Sequence, residues 1–231
     1  MAMFKWDQPA DKRYELGTDR GVVFPYTAGT GYGAGVPWSG LTAVTHSPEG
    51  AESTDIYADN IKFGSFRSAE TVKGTIEAFC YPDAVAELDG TAEIADGFYV
   101  GQQARGTFGF VYRSLIGAEG VAAGTGKNYK YHLFYGCSIN PSEKNYKTLA
   151  DNPEAGTFSW QFDTNPIKET VNGKEYVTAE VTIDCSKLDD ADVTAIEALL
   201  FGTDPIGSGS GATAGTEGKM PTLAEIYAIL A

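Results

Sequence analysis

Thr157-Phe158-Ser159-Trp160-Gln161-Phe162-Asp163 alternates aromatic and polar residues over seven positions. Phe158, Trp160 and Phe162 fall on one side and Thr157, Ser159, Gln161 and Asp163 on the other, as a half-buried strand requires. The same period recurs on both sides of this stretch. From Tyr176 to Asp184, Val177, Ala179, Val181 and Ile183 share one face, while Thr178, Glu180, Thr182 and Asp184 share the other. From Glu70 to Tyr81, Val72, Ile76, Ala78 and Cys80 oppose Lys73, Thr75 and Glu77. Thr107–Ile116 and Asn128–Ile139 read as further aromatic-rich strands, and Asn172-Gly173 is a hairpin-turn signal. With 28 glycines and 12% aromatic residues, the expected body is mostly β with short turns.

Three helices are expected. Pro82–Leu88 starts on proline and stops before Gly90. Asp189–Phe201 has acidic residues at its start, an apolar stripe of Val193, Ile196 and Leu200, and Gly202 at its end. The last opens on a Thr222-x-x-Glu225 capping box and carries Leu223, Ile226, Tyr227 and Leu230 along one face. Residues 202–220 hold six glycines and read as a flexible linker to this helix, at 221–231. Residues 1–40 read as a Gly-rich arm and 41–201 as the β domain.

The balance of 17 basic against 31 acidic groups leaves a net charge of −14, which repels nucleic-acid phosphates rather than neutralising them. No apolar run approaches the ~18 residues of a membrane span. The start, MAMFKWDQPADKRYE, lacks a signal-peptide core, so secretion by that route is not expected. Cys80, Cys137 and Cys185 are widely spaced and read as reduced, buried small residues.

Catalytic and metal motifs are absent at the level of local spacing. His46 and His132 are the chain's two histidines; neither sits in H-E-x-x-H or H-x-H, so no zinc site is expected, and His132 reads as an ordinary sheet residue. Gly124-Thr-Gly-Lys-Asn128 fails the P-loop pattern at both 121 and 128. Asp189, Asp190 and Asp192 lack the glycine and distal glutamate of a calcium loop and read as a charged helix start. Among so many carboxylates a glycosidase-like pair has no specificity. Neither an enzyme nor a cofactor is expected.

Five motifs carry a resemblance: Trp38-x-Gly40-Leu41, Ile56-Tyr-Ala-Asp-Asn-Ile-Lys62, Ile76-Glu-Ala-Phe-x-Tyr-Pro-Asp83, Gln102-Gln-x-Arg105 and Phe108-x-Phe-x-Tyr-Arg113. In this order, within a similarity running over roughly residues 13–201, the chain resembles the major tail (tail tube) proteins of long-tailed bacteriophages with non-contractile tails. The resemblance implies a structural virion protein, made in the bacterial host cytoplasm. Its implied fold is a β-sandwich or barrel-like body with a flanking helix, assembling into hexameric rings around a continuous lumen barrel. Rings stack on a tape-measure protein, between tail-tip and tail-terminator proteins, and viral DNA passes through the lumen without specific binding. An acidic subunit suits that conduit, because carboxylates facing phosphate keep adhesion low. On this reading Glu77, Asp163 and Glu180 are candidates to line the lumen. Tyr57 and Asp59, in the loop Ser47–Asn60, and Leu223, Ile226, Tyr227 and Leu230 are candidate assembly contacts. The alternative from another class is a carbohydrate- or receptor-binding β-sandwich that displays its aromatics; a carboxylate-pair hydrolase ranks third.

Overall fold

The computed structural model describes residues 12–50, 52–67, 70–146, 148, 155–205 and 213–231. The chain is mostly β. Its first strands are β1 (Arg13–Thr27), β2 (Gly31–Tyr32), β3 (Val36–Trp38) and β4 (Leu41–Gly50). A hairpin of β5 (Ser53–Ala58) and β6 (Ile61–Arg67) leads to β7 (Glu70–Ala78). Helix α1 (Asp83–Leu88) and the hairpin β8 (Ala92–Ala95) and β9 (Phe98–Val100) precede the long strands β10 (Thr107–Ala118) and β11 (Tyr129–Ile139). Next come β12 (Phe158–Thr164), β13 (Ile167–Val171), β14 (Lys174–Thr178) and β15 (Glu180–Asp184). Helix α2 (Asp190–Phe201), the short pair β16 (Gly202–Thr203) and β17 (Thr216–Glu217), and α3 (Leu223–Leu230) complete the chain.

One antiparallel sheet runs β2-β1-β10-β11-β12-β7-β4, with β3 added on β1 and β15 on β11. The centre of this sheet is apolar on both faces, which is why β10 and β11 read as near-continuous apolar runs. Val23, Phe110, Phe134, Trp160 and Ile76, from strands at both ends of the order, share a single inner core. The sheet therefore bends around that core, and Leu41 of β4 lies against Gly21 of β1. Trp38 and Trp160 meet edge to face at 5.1 Å in its middle. The alternate residues of β1, β10 and β11, including Val22, Val111, Tyr131 and Leu133, form a second core with Val193, Ile196 and Leu200 of α2 and Ile226 of α3. Glu197 of α2 ties helix to sheet by accepting hydrogen bonds from the hydroxyls of Tyr129 (2.8 Å) and Tyr131 (2.7 Å).

Strand β11 changes partner midway. Lys130–Phe134 pairs with β15, and Cys137–Ile139 pairs with β12. The switch occurs at Gly136, whose φ is +59°. Tyr135 and Gly136 stand opposite the single Gly109, so β11 bulges there. The Gly136 amide donates to the Tyr32 hydroxyl at 2.9 Å, and its carbonyl accepts from the Asn165 amide at 2.9 Å.

Several expectations are corrected. Arg13–Thr27, placed in the Gly-rich arm, is instead a 15-residue strand paired along β10. Gly31–Tyr32, from the glycine cluster of that arm, pairs with the end of β1. Tyr176–Asp184 is not one strand: the chain breaks at Ala179, so that β14 pairs with β13 and β15 with β11. Val177, expected inside, is 62% exposed because its strand lies off the main sheet. Cys80 is exposed, since strand pairing ends at Ala78; Cys137 and Cys185 are buried, and burial pushes the Cys185 thiol up to about 12. The loop Ser47–Asn60 is the end of β4 and the strand β5. Of the expected linker, Gly202–Thr203 pairs with Thr216–Glu217, and residues 206–212 lie outside the described set. The Asn172-Gly173 turn forms as expected, with both residues at positive φ. Helices α1, α2 and α3 occupy their expected stretches.

A methyl group at position 136 would both force an L-residue into the left-handed region and collide with the Asn165 carbonyl oxygen. Gly136→Ala is therefore expected to lower unfolding free energy by about 2–4 kcal/mol, from left-handed strain plus overpacking. Urea denaturation of the variant against the parent chain measures it; a loss below about 0.5 kcal/mol, the scale of a neutral surface change, contradicts the pivot role.

Candidate functional site

Period-two geometry places Glu77 and Asp163 on one surface. Register pairs Ala43 with Glu77 and Glu77 with Ser159, then Thr45 with Thr75 and Thr75 with Gln161, then Ser47 with Lys73 and Lys73 with Asp163. These three cross-strand rows form a hydrophilic face on the outside of β4, β7 and β12, opposite the face that buries Ile76 and Trp160. Asp163 accepts from the Asn140 side-chain amide at 2.9 Å and has the Lys73 ammonium 3.8 Å away. Lys73 also pairs with Glu49, which holds its pKa above the ordinary lysine value. The face is thus polar and only weakly acidic, because a lysine stands within it.

Glu180 does not join that face. It begins β15, opposite Phe134, and meets His46 across the inner core, with Oε2 3.4 Å from Nδ1. His46 sits on β4 beside Gly74 and Phe162 and touches the Phe134 ring edge to face at 5.1 Å. His132, on β11, stacks on Tyr112 at 4.7 Å and hydrogen-bonds the Ser114 hydroxyl at 2.9 Å. The hydrogen bond that His46 donates to the Glu180 carboxylate raises the His46 pKa above its usual value and holds that of Glu180 below the ordinary glutamate range. Burial pushes the pKa of His132 the other way, toward the neutral ring. No local spacing announced this convergence, since the three residues belong to strands far apart in sequence.

Tyr57 and Asp59 lie at the end of the β5–β6 hairpin, where Asp59 and Asn60 both adopt positive φ. A two-residue Asp-Asn turn of this kind was readable from the sequence, because both residue types tolerate the left-handed region. The hairpin's register is pinned by Asp55, which pairs with Lys62 at 2.8 Å and with the Ser65 hydroxyl. Among the described residues its apolar side chains find no cover: Ile56, Tyr57, Ile61, Phe63 and Phe66 are all exposed, Tyr57 by 68% and Phe63 by 75%.

The C-terminal stripe divides. Ile226 is buried in the second core, Leu223 is half-buried, and Tyr227 and Leu230 remain exposed. These four line an open groove of about 440 Å³ together with Val171, Tyr176 and Val181. The expected capping box is complete: the Thr222 hydroxyl accepts from the Glu225 amide at 3.2 Å, and Glu225 accepts from the Thr222 amide at 3.0 Å.

No protein-family model matches the chain, and no curated protein matches it. Among the described residues no helix is long and apolar enough to cross a membrane.

Removing the cap with Thr222→Ala is expected to weaken α3 by about 0.5–2 kcal/mol. Hydrogen exchange of the 223–230 amides reads this locally. The Lys219 ammonium and then the Thr222 amide hold the Glu225 carboxyl below its usual pKa, so its contribution is present above the ordinary glutamate value, about 4.3, and is lost as pH falls through the lowered folded value. Glu225→Gln should therefore remove that acid-side loss of α3 protection, while leaving protection at pH 8 weaker, and exchange faster, than in the parent.

Proposed function

We propose that this chain is a ring-forming tail tube subunit of a long-tailed, non-contractile bacteriophage, a structural virion protein and not an enzyme. The observation that carries the reading is the β5–β6 hairpin, a two-stranded ribbon whose five large apolar side chains face water. An isolated ribbon is only marginally stable in water, and contiguous apolar surface of this kind marks an interaction site. A second copy of the chain would cover it, with Tyr57 and Asp59 at the contact and the exposed part of the α3 groove as a further joint. The edges of the sheet also carry unpaired backbone groups suited to edge-to-edge closure of inner sheets around a ring, giving the barrel-lined hexamer of this reading. The rows containing Glu77 and Asp163 are then the surface offered to the lumen. A polar face with few cations lets DNA slide without adhesion. Partners in this reading are further copies of the chain, the tape-measure protein, and the tail-tip and tail-terminator proteins.

The purified chain is expected to form rings or tubes on concentration, visible by negative-stain electron microscopy. A double Tyr57→Ser, Phe63→Ser variant should keep the parent's unfolding midpoint but raise the concentration needed for assembly by about a hundredfold or more, because each buried ring contributes about 1.5–3 kcal/mol. A parent chain that stays monomeric at millimolar concentration sinks the reading, and glycan or receptor binding by that monomer would favour the display of aromatics by a binding module.

Charge reversal at the proposed lumen face gives a separate check. Asp163→Lys also breaks the contact with Lys73, so Glu77→Lys is the cleaner substitution. Particles with Glu77→Lys tails should look normal and release DNA more slowly, with the delay relieved by added salt as phosphate contacts are screened. Time-resolved DNA release at unchanged rate, from intact tails, removes Glu77 from the lumen.

A further inference from the structure

The two histidines of the chain come together with one carboxylate at the mouth of the inner core. One donor atom each from His46, His132 and Glu180 lies within 4.8 Å of the others. We propose that these three residues bind one divalent transition-metal ion of the zinc type, with solvent as the fourth ligand, and that the ion clamps β4 to β11 and β15. This goes beyond the tube reading and does not depend on it.

The donor chemistry selects the ion. Two imidazoles and a carboxylate suit zinc and its neighbours, whereas calcium and magnesium require oxygen shells. Geometry is close to what such an ion needs. The His46 Nδ1 to Glu180 Oε2 separation is 3.4 Å. Bonds of 2.0–2.1 Å in a tetrahedron place neighbouring donors about 3.4 Å apart. The remaining separations, all within 4.8 Å, close as the ion binds.

Both rings are already oriented by packing. Tyr112 lies parallel to His132, at 14° and 4.7 Å, and the edge-to-face contact with Phe134 holds His46. Each nitrogen of His132 faces a hydroxyl, Ser114 Oγ at 2.9 Å from Nε2 and Thr182 Oγ1 at 3.4 Å from Nδ1. Whichever nitrogen takes the ion, the other keeps a hydroxyl that sets the tautomer, as ligating histidines ordinarily require. Burial favours the neutral, ligating form of His132, while the Glu180 carboxylate favours a protonated His46, so the ion has to displace a proton there.

The site is accessible without being open on all sides. His132 is 8% exposed, while His46 and Glu180 keep 27% and 26% of their side-chain surface in contact with solvent. A cavity of about 340 Å³, bounded by Glu15, Thr18, Thr42 and Ser114 as well as the two histidines, leads to it. Lys130, whose charge acts on His132, is paired with Glu15. An ion bound here would span the mouth of the core between the sheet's edge strand β4 and its fork, which among the described residues no ladder joins directly.

The experiment uses the full chain, free of any histidine tag and stripped with chelator. Zn²⁺ is titrated by calorimetry, and Co²⁺ is added separately to read coordination from its visible spectrum. One ion per chain, a raised melting temperature, intense four-coordinate Co²⁺ bands and displacement of both histidine ring signals in NMR are expected. His46→Gln and Glu180→Gln should each weaken binding by about a hundredfold or more, at or beyond the upper end of the loss seen when an outer-shell partner is removed. His132→Gln should do the same. Because that ring is buried and stacked, circular dichroism checks its fold, and the two partly exposed variants decide the matter if it does not fold. Absence of binding at submillimolar Zn²⁺ overturns the proposal. So does undiminished binding in His46→Gln and Glu180→Gln, which would put the ion on surface carboxylates.

Discussion

The fork at Gly136 is the constraint on which the rest of the molecule depends. An antiparallel strand has two edges, and β11 gives one of them along its whole length to β10. The other edge has to be shared between β15 and β12, which diverge at this point. A left-handed residue without a side chain permits the bulge that turns the strand between them. Tyr32 and Asn165 satisfy the Gly136 amide and carbonyl, so the turn buries no unpaired backbone group. Once β12 leaves the plane of β15, it carries β7 and β4 with it, and the sheet closes over Trp38, Phe110 and Trp160. The branch through β15 stays with β10 and β1, where α2 and α3 cover it.

This division explains which apolar surface is satisfied and which is not. The two cores use both faces of the central strands, and helices supply the third layer. The hairpins β5–β6 and β8–β9 lie outside both cores, with Phe63, Ile94 and Phe98 exposed. Exposed apolar side chains grouped on a ribbon mark an interaction surface, and the proposed assembly rests on that surface.

Charge is distributed unevenly by the same topology. Glu77 and Asp163 emerge on the outer face of the bent half of the sheet, among threonines, serines and one lysine. Glu180 begins the other branch, so its side chain reaches across the mouth of the core to His46 instead. Carboxylates that look alike in an alternating pattern therefore meet different environments: a polar outer face for Glu77 and Asp163, a pair of imidazoles for Glu180.

Local pattern sufficed for much of this protein. Alternation marked β7, β10, β11 and β12, the Asn172-Gly173 dipeptide marked its hairpin, and acidic starts, glycine stops and the Thr222–Glu225 box marked the helices, because these signals act between residues a few positions apart. The sequence by itself also set the acidic balance. Only the tertiary structure decided that Arg13–Thr27 is a long strand of the main sheet, since its pairing with β10 spans about a hundred residues and its glycine and charged positions mask any period. Only the tertiary structure broke Tyr176–Asp184 at Ala179, where an unbroken period hid a change of sheet. The meeting of His46, His132 and Glu180 belongs to the same class. Nothing in its own strand points any of them toward the others, and their proximity follows from how the sheet bends, a non-local outcome that no short window of sequence encodes.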